Sequence, residues 1–235
     1  AINRIAGYNV AGPKSRDLLQ RLTNADLSNE AFRFMDFRRM DIGMVPALVG
    51  RVSFTGDLGY EMWIAPEYQA HLFDLLMETG ADLGITVFGG RALRSLSLEK
   101  GFGAWTSLDF SPDYTAVESG LSRFIKIKNT DFIGKEQLIR QKQEGPSRRL
   151  VMMEVDADDA DAIGNEPVMV GGACIGFVTS GGYGHYTKTS VALGYLDSAY
   201  CVDGQEVTLK ILGEEHSGRV RLKALHDPEG LRMRS

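Results

Sequence analysis

The spacing of apolar residues changes along the chain. In the first part, leucines recur at helical spacing, and most of the predicted helices begin near a proline or end at a glycine. Two runs rich in strand-forming residues lie among them, at 47–52 and 60–64, and the glycine-containing turn between them predicts a β-hairpin. The predicted helices cover residues 14–22, 66–79, 92–100 and 135–143.

Helical periodicity almost disappears after the segment Q-E-G-P-S at 143–147. Short strand-like runs follow, separated by glycine and aspartate turns, and this pattern is typical of an antiparallel barrel or sandwich. The runs cover residues 149–155, 167–170, 173–179, 190–196, 205–211 and 218–225. We therefore predict an α+β protein with a boundary near Gly145, in which 1–145 form an α/β portion and 146–235 a small antiparallel β-barrel.

Charge and composition narrow the class of protein. The 235 residues include 26 basic and 31 acidic side chains, a formal net charge of −5, which argues against a general nucleic-acid binder. No apolar run reaches the roughly 18 residues of a membrane span, so we expect no membrane partner and a cytoplasmic location. The two cysteines, Cys174 and Cys201, share no metal-ligand spacing, and we expect no metal site and two buried free thiols.

The segment R-V-S-F-T-G-D-L-G-Y-E at 51–61 is more specialised than packing requires. Its geometry could place the aromatic ring of Phe54 and the carboxylate of Glu61 around one planar ligand. A glutamate that accepts two parallel N–H bonds is suited to a 2-amino-4-oxo heterocycle. The alternative is that Phe54 belongs to the core and Glu61 is an exposed strand residue, and spacing alone favours this alternative.

Two further segments carry candidate chemistry. In G-G-R-A-L-R-S-L-S-L-E-K-G at 89–101, Arg91 near a helix start could hold a carboxylate, whereas Glu99 and Lys100 are expected at the surface. In T-S-G-G-Y-G-H-Y at 179–186, the glycines allow close backbone approach, and Tyr183 and His185 could face a cleft between the two domains. A wide hairpin loop explains this last segment equally well.

Taken together, the segments resemble the folate-binding aminomethyltransferase family, which includes the glycine cleavage T-protein and the C-terminal halves of dimethylglycine and sarcosine dehydrogenases. Five matching stretches occur in the order of the family and cover nearly all of the chain. The form R-A-L-x-S-L-x-L-E-K-G followed by Trp105 is more similar to the dehydrogenase branch. The stretches are 12–19, 51–61, 91–101, 119–121 with 131–135, and 179–195.

The resemblance implies a tetrahydrofolate-binding enzyme that transfers a one-carbon unit from a small methylated amine or an aminomethyl donor. It implies that Glu61 binds the pterin ring and that Phe54, at a position where the family usually has tyrosine, lines the pocket. Phe34 matches another ring-lining position, Arg91 is a candidate contact for the folate tail, and Tyr183 is a further candidate folate contact. A flavin (FAD) would belong only to a domain further upstream.

The resemblance also implies what the chain lacks. Family members carry a long segment before the part that Ala1 matches, and it contains the aspartate credited with catalysis. We therefore expect a C-terminal fragment that supplies part of the pocket, has no identified catalytic residue and does not turn over alone. An exposed incomplete pocket also predicts self-association. The alternatives are a non-catalytic folate-binding or interaction module whose missing half or partner carries the chemistry, and a folate-dependent demethylase.

Overall fold

The computed structural model describes residues 4–128 and 131–235, which form two compact units. Unit 1 comprises Ala1–Arg94 together with Glu229–Ser235, and unit 2 comprises Ser95–Pro228. The α+β class and the small antiparallel barrel are confirmed. Among the described residues, no helix combines the length and the apolar character that crossing a bilayer requires.

Unit 1 is built on a four-stranded antiparallel sheet in the order β1-β4-β3-β2. The predicted hairpin is confirmed, since β3 and β4 pair across the loop at 51–58. The strands are β1 (Ala6–Ala11), β2 (Phe37–Ile42), β3 (Val45–Gly50) and β4 (Gly59–Ile64). The helices are α1 (Ser15–Gln20), α2 (Gln69–Thr79) and, close to the end of the chain, α5 (Leu231–Arg234).

One face of this sheet forms the core of unit 1. Side chains alternate across a strand, so Tyr60, Met62 and Ile64 of β4 point to the same side, and all three are buried. They pack in one cluster with the buried leucines Leu18 and Leu72 of α1 and α2. The residues between them on β4 therefore point to the opposite face of the sheet.

Helix α3 (Gly90–Glu99) begins in unit 1 and ends in unit 2. Unit 2 also contains α4 (Lys135–Glu144) and a closed antiparallel barrel in the order β10-β5-β8-β7-β6-β9, in which β9 also pairs with β10. The barrel strands are β5 (Arg148–Val155), β6 (Pro167–Val170), β7 (Ala173–Gly184), β8 (Thr189–Asp197), β9 (Glu206–Ile211) and β10 (Glu214–Arg221).

Strand β8 is buried along almost its whole length because both of its faces are covered. Ala192 and Leu196 belong to the core cluster that fills the barrel, whereas Val191 and Leu193 pack outside it with Leu98 of α3. All six barrel strands follow Gly145, while the compact unit that contains them begins at Ser95. The domain boundary near Gly145 stays a prediction.

Candidate functional site

The face of the unit 1 sheet opposite its core carries one row of cross-strand neighbours. Asn9 of β1 pairs with Glu61 of β4, Glu61 pairs with Gly50 of β3, and Gly50 pairs with Phe37 of β2. Residues directly opposite each other on antiparallel strands lie on the same face, with Cβ atoms about 4.5–5.5 Å apart. The row therefore combines an amide, a carboxylate and an aromatic ring, with a glycine between the last two.

A stacked aromatic pair lies beside this row. The rings of Phe37 and Trp63 have centroids 5.7 Å apart and planes inclined by 24°. Glycine at position 50 makes room for them, since a Cβ there would lie 2.5 Å from Phe37 Cε1 and 3.1 Å from Trp63 Cζ3. Phe37 nevertheless remains 50% exposed, so the pair presents aromatic surface on this face of the sheet. We call the face opposite the core of unit 1 the open face.

A small cavity of about 170 Å³ adjoins Glu61. No described group forms a hydrogen bond with the Glu61 carboxylate, and Asn9 Oδ1 is shielded from solvent yet has no described donor. Buried polar atoms normally have partners, so this pair is suited to a ligand that brings N–H groups. The cavity is smaller than a complete drug-sized pocket and would enclose only one edge of a ring. It is lined by Gly7, Tyr8, Asn9, Glu61, Met62 and Trp63.

The loop that leads into β4 is held by a buried arginine. Arg51 is 1% exposed, and its guanidinium donates to the carbonyl oxygens of Phe32 (2.7 Å) and Ser235 (2.8 Å). Burial removes water from the charged group and lowers the pKa of Arg51 from its usual value. Further along the loop, the Gly56 amide donates to Ser53 Oγ at 3.1 Å, and Gly56 has a φ of 88°. The motif thus builds the turn that fixes where β4, and with it Glu61, begins.

Three of the predicted site residues lie at one end of the sheet. Glu61 pairs with Gly50, the last residue of β3, and the half-buried Phe54 follows β3 in the loop. The half-buried Phe34 precedes β2 at the same end, where the neighbouring amide of Met35 donates to the Arg51 carbonyl at 2.9 Å. The roles assigned to these three residues stay predictions.

Arg91 and Tyr183 belong to different units. Arg91 is exposed in the first turn of α3, and Tyr183 of β7 is 38% exposed with its ring edge-on to His185, at a centroid separation of 5.1 Å. The Tyr183 carbonyl accepts a hydrogen bond of 2.7 Å from Ser95 Oγ. Their suggested folate contacts stay predictions.

Sequence reasoning missed Asn9, Phe37 and Trp63. The available signal was the period of two along a strand, because Trp63 follows Glu61 by two positions and must share its face. Asn9 and Phe37 could be found only from the pairing register, which the sequence alone does not give.

The expectation that Glu99 and Lys100 lie at the surface is wrong. Glu99 Oε1 accepts hydrogen bonds from the amides of Tyr186 (2.9 Å) and Thr187 (2.6 Å) and from the Thr187 hydroxyl (2.9 Å). Lys100 Nζ binds Asp227 Oδ2 at 3.0 Å, and the two side chains are only 4% and 9% exposed. The end of α3 therefore fixes other segments of unit 2 by charged hydrogen bonds.

The glycine-rich segment at 179–186 is mostly strand rather than loop, since β7 continues to Gly184. Its first two hydroxyls, Thr179 and Ser180, donate to Oδ1 of the fully buried Asp109 at 2.5 and 2.6 Å. The cysteine expectation is half correct: both thiols are free, but Cys174 is exposed and only Cys201 is buried.

Comparison with known proteins matches both parts of the chain to domains of one protein family. Residues 2–129 match the family model described as the GCVT N-terminal domain, and residues 148–227 match the glycine cleavage T-protein C-terminal barrel domain. The fold is similar to the crystal structure of glycine cleavage system aminomethyltransferase T from Bartonella henselae, with a TM-score of 0.83 and 24% identity. The likeness covers 95% of this chain and 60% of that one.

Two relatives show how much of a longer protein the chain spans. It is 39% identical over 226 residues to mitochondrial dimethylglycine dehydrogenase of Mus musculus, covering 96% of this chain and 26% of the relative. It is 33% identical over 210 residues to an aminomethyltransferase of Caldanaerobacter subterraneus subsp. tengcongensis, covering 89% of this chain and 55% of the relative. The chain thus corresponds to about a quarter of the first protein and about half of the second.

Proposed function

The chain belongs to the glycine cleavage T-protein family, and from this we propose that it binds a reduced folate on the open face of the unit 1 sheet and supports one-carbon transfer to it. The observation that carries the proposal is the position of Glu61, which lines a small cavity beside Asn9, whose shielded Oδ1 has no hydrogen-bond donor among the described residues.

The residues at this face fit a pterin. A 2-amino-4-oxo ring presents N–H groups along one edge, and an ionised carboxylate accepts such bonds more strongly than a neutral group does. The Phe37 and Trp63 rings offer a flat aromatic surface beside Glu61 for the ring face. The glycine at position 50 keeps this surface free of another side chain.

A bound reduced folate supplies a nucleophilic nitrogen that takes up the one-carbon unit. The task of Glu61, Phe37 and Trp63 is positioning, because they fix the plane and the edge of the ring from a rigid sheet. Since one relative is named a dimethylglycine dehydrogenase, an N-methylated amino acid is the donor class that we propose. The aminomethyl donors of the T-protein branch form the second class.

Binding is tested by titration calorimetry with 5-formyltetrahydrofolate on the wild type, Glu61→Gln and Glu67→Gln. Hydrogen bonds to a charged group contribute about 1.5–3 kcal/mol, so Glu61→Gln should raise Kd by about tenfold or more. Glu67 is an exposed glutamate just after β4, and its substitution makes the same change of charge without touching the face. Equal affinities for wild type and Glu61→Gln contradict the proposal.

Transfer is tested separately from binding. The chain is incubated with tetrahydrofolate and either dimethylglycine with its dehydrogenating enzyme or an aminomethyl donor, and 5,10-methylenetetrahydrofolate is measured. Faster formation than without the chain, reduced in Glu61→Gln, supports one-carbon transfer and contradicts the expectation that these 235 residues do not turn over alone. Tight folate binding without any acceleration would instead identify a folate-binding module.

A further inference from the structure

Asn9 is the cross-strand neighbour of Glu61, and both line the cavity of about 170 Å³. The core-facing residues beside them, Tyr8 and Met62, form the next cross-strand pair, and the Tyr8 hydroxyl donates to the Gln69 carbonyl of α2 at 2.8 Å. Because side chains alternate along a strand, the side chain of Asn9 points to the open face.

The side-chain oxygen of Asn9 also lacks a hydrogen-bond donor among the described residues. This Oδ1 atom is shielded from solvent as well. Asparagine is disfavoured in strands, and a shielded acceptor without a donor weakens the fold further. Packing therefore gives no reason for an amide at this position, whereas an incoming N–H group would satisfy it.

A primary amide is complementary to a lactam. Its oxygen accepts from the ring N–H while its NH₂ group donates to the adjacent carbonyl, so the two groups form a pair of parallel hydrogen bonds. In a 2-amino-4-oxo pterin, the lactam formed by N3–H and the C4 carbonyl lies next to the 2-amino group. Two neighbouring polar side chains, one an amide and one a carboxylate, match these adjoining parts of one ring edge.

We propose that Asn9 is a second pterin-binding residue, which pairs with the lactam of the ring while Glu61 takes the 2-amino group. The two side chains together hold adjoining parts of one ring edge. The inference rests on the proposed folate function and adds the residue that binds the lactam.

The test measures the Kd of folic acid by titration calorimetry for wild type, Asn9→Asp, Asn9→Leu and Glu61→Gln. Asn24→Asp, at an exposed asparagine of the same unit, makes the same chemical change away from the face. Circular dichroism verifies that each variant is folded.

We expect wild type and Asn24→Asp to bind folic acid with equal Kd. Asn9→Asp is nearly isosteric but only accepts hydrogen bonds, so it loses the bond to the C4 carbonyl and should raise Kd by about tenfold. Asn9→Leu loses both bonds to the lactam and should raise Kd at least as much, and it decides the question if Asn9→Asp does not fold. Glu61→Gln should also raise Kd.

The two proposals fail in different ways. If folic acid does not bind wild type, or if Glu61→Gln binds it as tightly as wild type, the folate function is wrong and the role of Asn9 is overturned with it. If binding depends on Glu61 while both Asn9 variants keep the wild-type Kd, only the role of Asn9 is overturned.

Discussion

The ring of Phe37 stacks on the indole of Trp63 directly above Gly50, and the backbone of Gly50 has space for neither a methyl group nor a larger side chain. A Cβ at position 50 would approach Phe37 Cε1 to 2.5 Å and Phe37 Cδ1 to 2.8 Å. Such separations are well inside van der Waals contact, so the Phe37 ring has to move if a methyl group is added.

Gly50→Ala should therefore weaken folate binding while leaving the fold intact. Because Phe37 is half exposed, the ring can swing away, and we expect a loss of only about 1 kcal/mol in unfolding free energy. Trp63 fluorescence, recorded in a Trp105→Phe background that leaves one tryptophan, should change as the stack is lost. Gly90→Ala is the control, since a Cβ there meets no atom within 4 Å. An unchanged spectrum together with unchanged folate affinity would show that the stack is not needed.

Glu99→Gln should destabilise unit 2. The Oε1 atom of Glu99 accepts three hydrogen bonds from Tyr186 and Thr187, and the loss of the charge weakens all three. We expect a decrease of about 1.5–3 kcal/mol in the free energy of unfolding by urea. Hydrogen exchange at the Tyr186 and Thr187 amides should accelerate more than exchange elsewhere in the barrel. Glu144→Gln, at the exposed end of α4, should change neither quantity.

Stability in acid should depend on Glu118. Burial raises the pKa of its carboxyl, but the Thr115 amide and hydroxyl and the Arg148 guanidinium together outweigh burial, so the net shift is downward. The amide donates to Oε2 at 2.7 Å and Arg148 Nε donates to Oε1 at 3.1 Å. A lowered pKa means that this stabilisation is complete above the unfolded-state pKa of about 4.3 and is lost as pH falls through the folded-state value.

Glu118→Gln should accordingly be about 1 kcal/mol less stable than wild type at pH 7, with the difference shrinking below about pH 4. Urea unfolding at several pH values measures this difference. Glu136→Gln, at an exposed position of α4, supplies the charge-matched comparison. A difference that stays constant down to pH 2 would mean that the Glu118 carboxylate does not stabilise the fold through its charge.

Local patterns predicted much of the secondary structure because their signals are local. The hairpin of β3 and β4 is confirmed from strand-forming runs around a glycine-containing turn, and β6 has the predicted bounds of 167–170. The last predicted strand covers 218–225, whereas β10 spans Glu214–Arg221. The polar residues Glu214 and Glu215 are not typical of a strand, although β10 pairs with a neighbour on both edges.

The site was only partly predictable for a different reason. Glu61 could be singled out from its motif, but its neighbours Asn9 and Phe37 lie more than twenty positions away and meet it through strand register. Glu99 and Lys100 were expected at the surface because charged side chains usually are, and the groups that compensate their burial lie far along the chain. Long-range pairing of this kind leaves no local trace.

The hydrogen bond from Arg51 to Ser235 also has a consequence for biosynthesis. Unit 1 is discontinuous in sequence, since its two parts are separated by the whole of unit 2. During translation from the N-terminus, the Arg51 guanidinium cannot reach the Ser235 carbonyl until the ribosome has also produced every strand of the barrel. Unit 1 therefore completes its fold last although its sequence emerges first, and a nascent chain stalled before Glu229 carries an unfinished unit 1 for chaperones to protect.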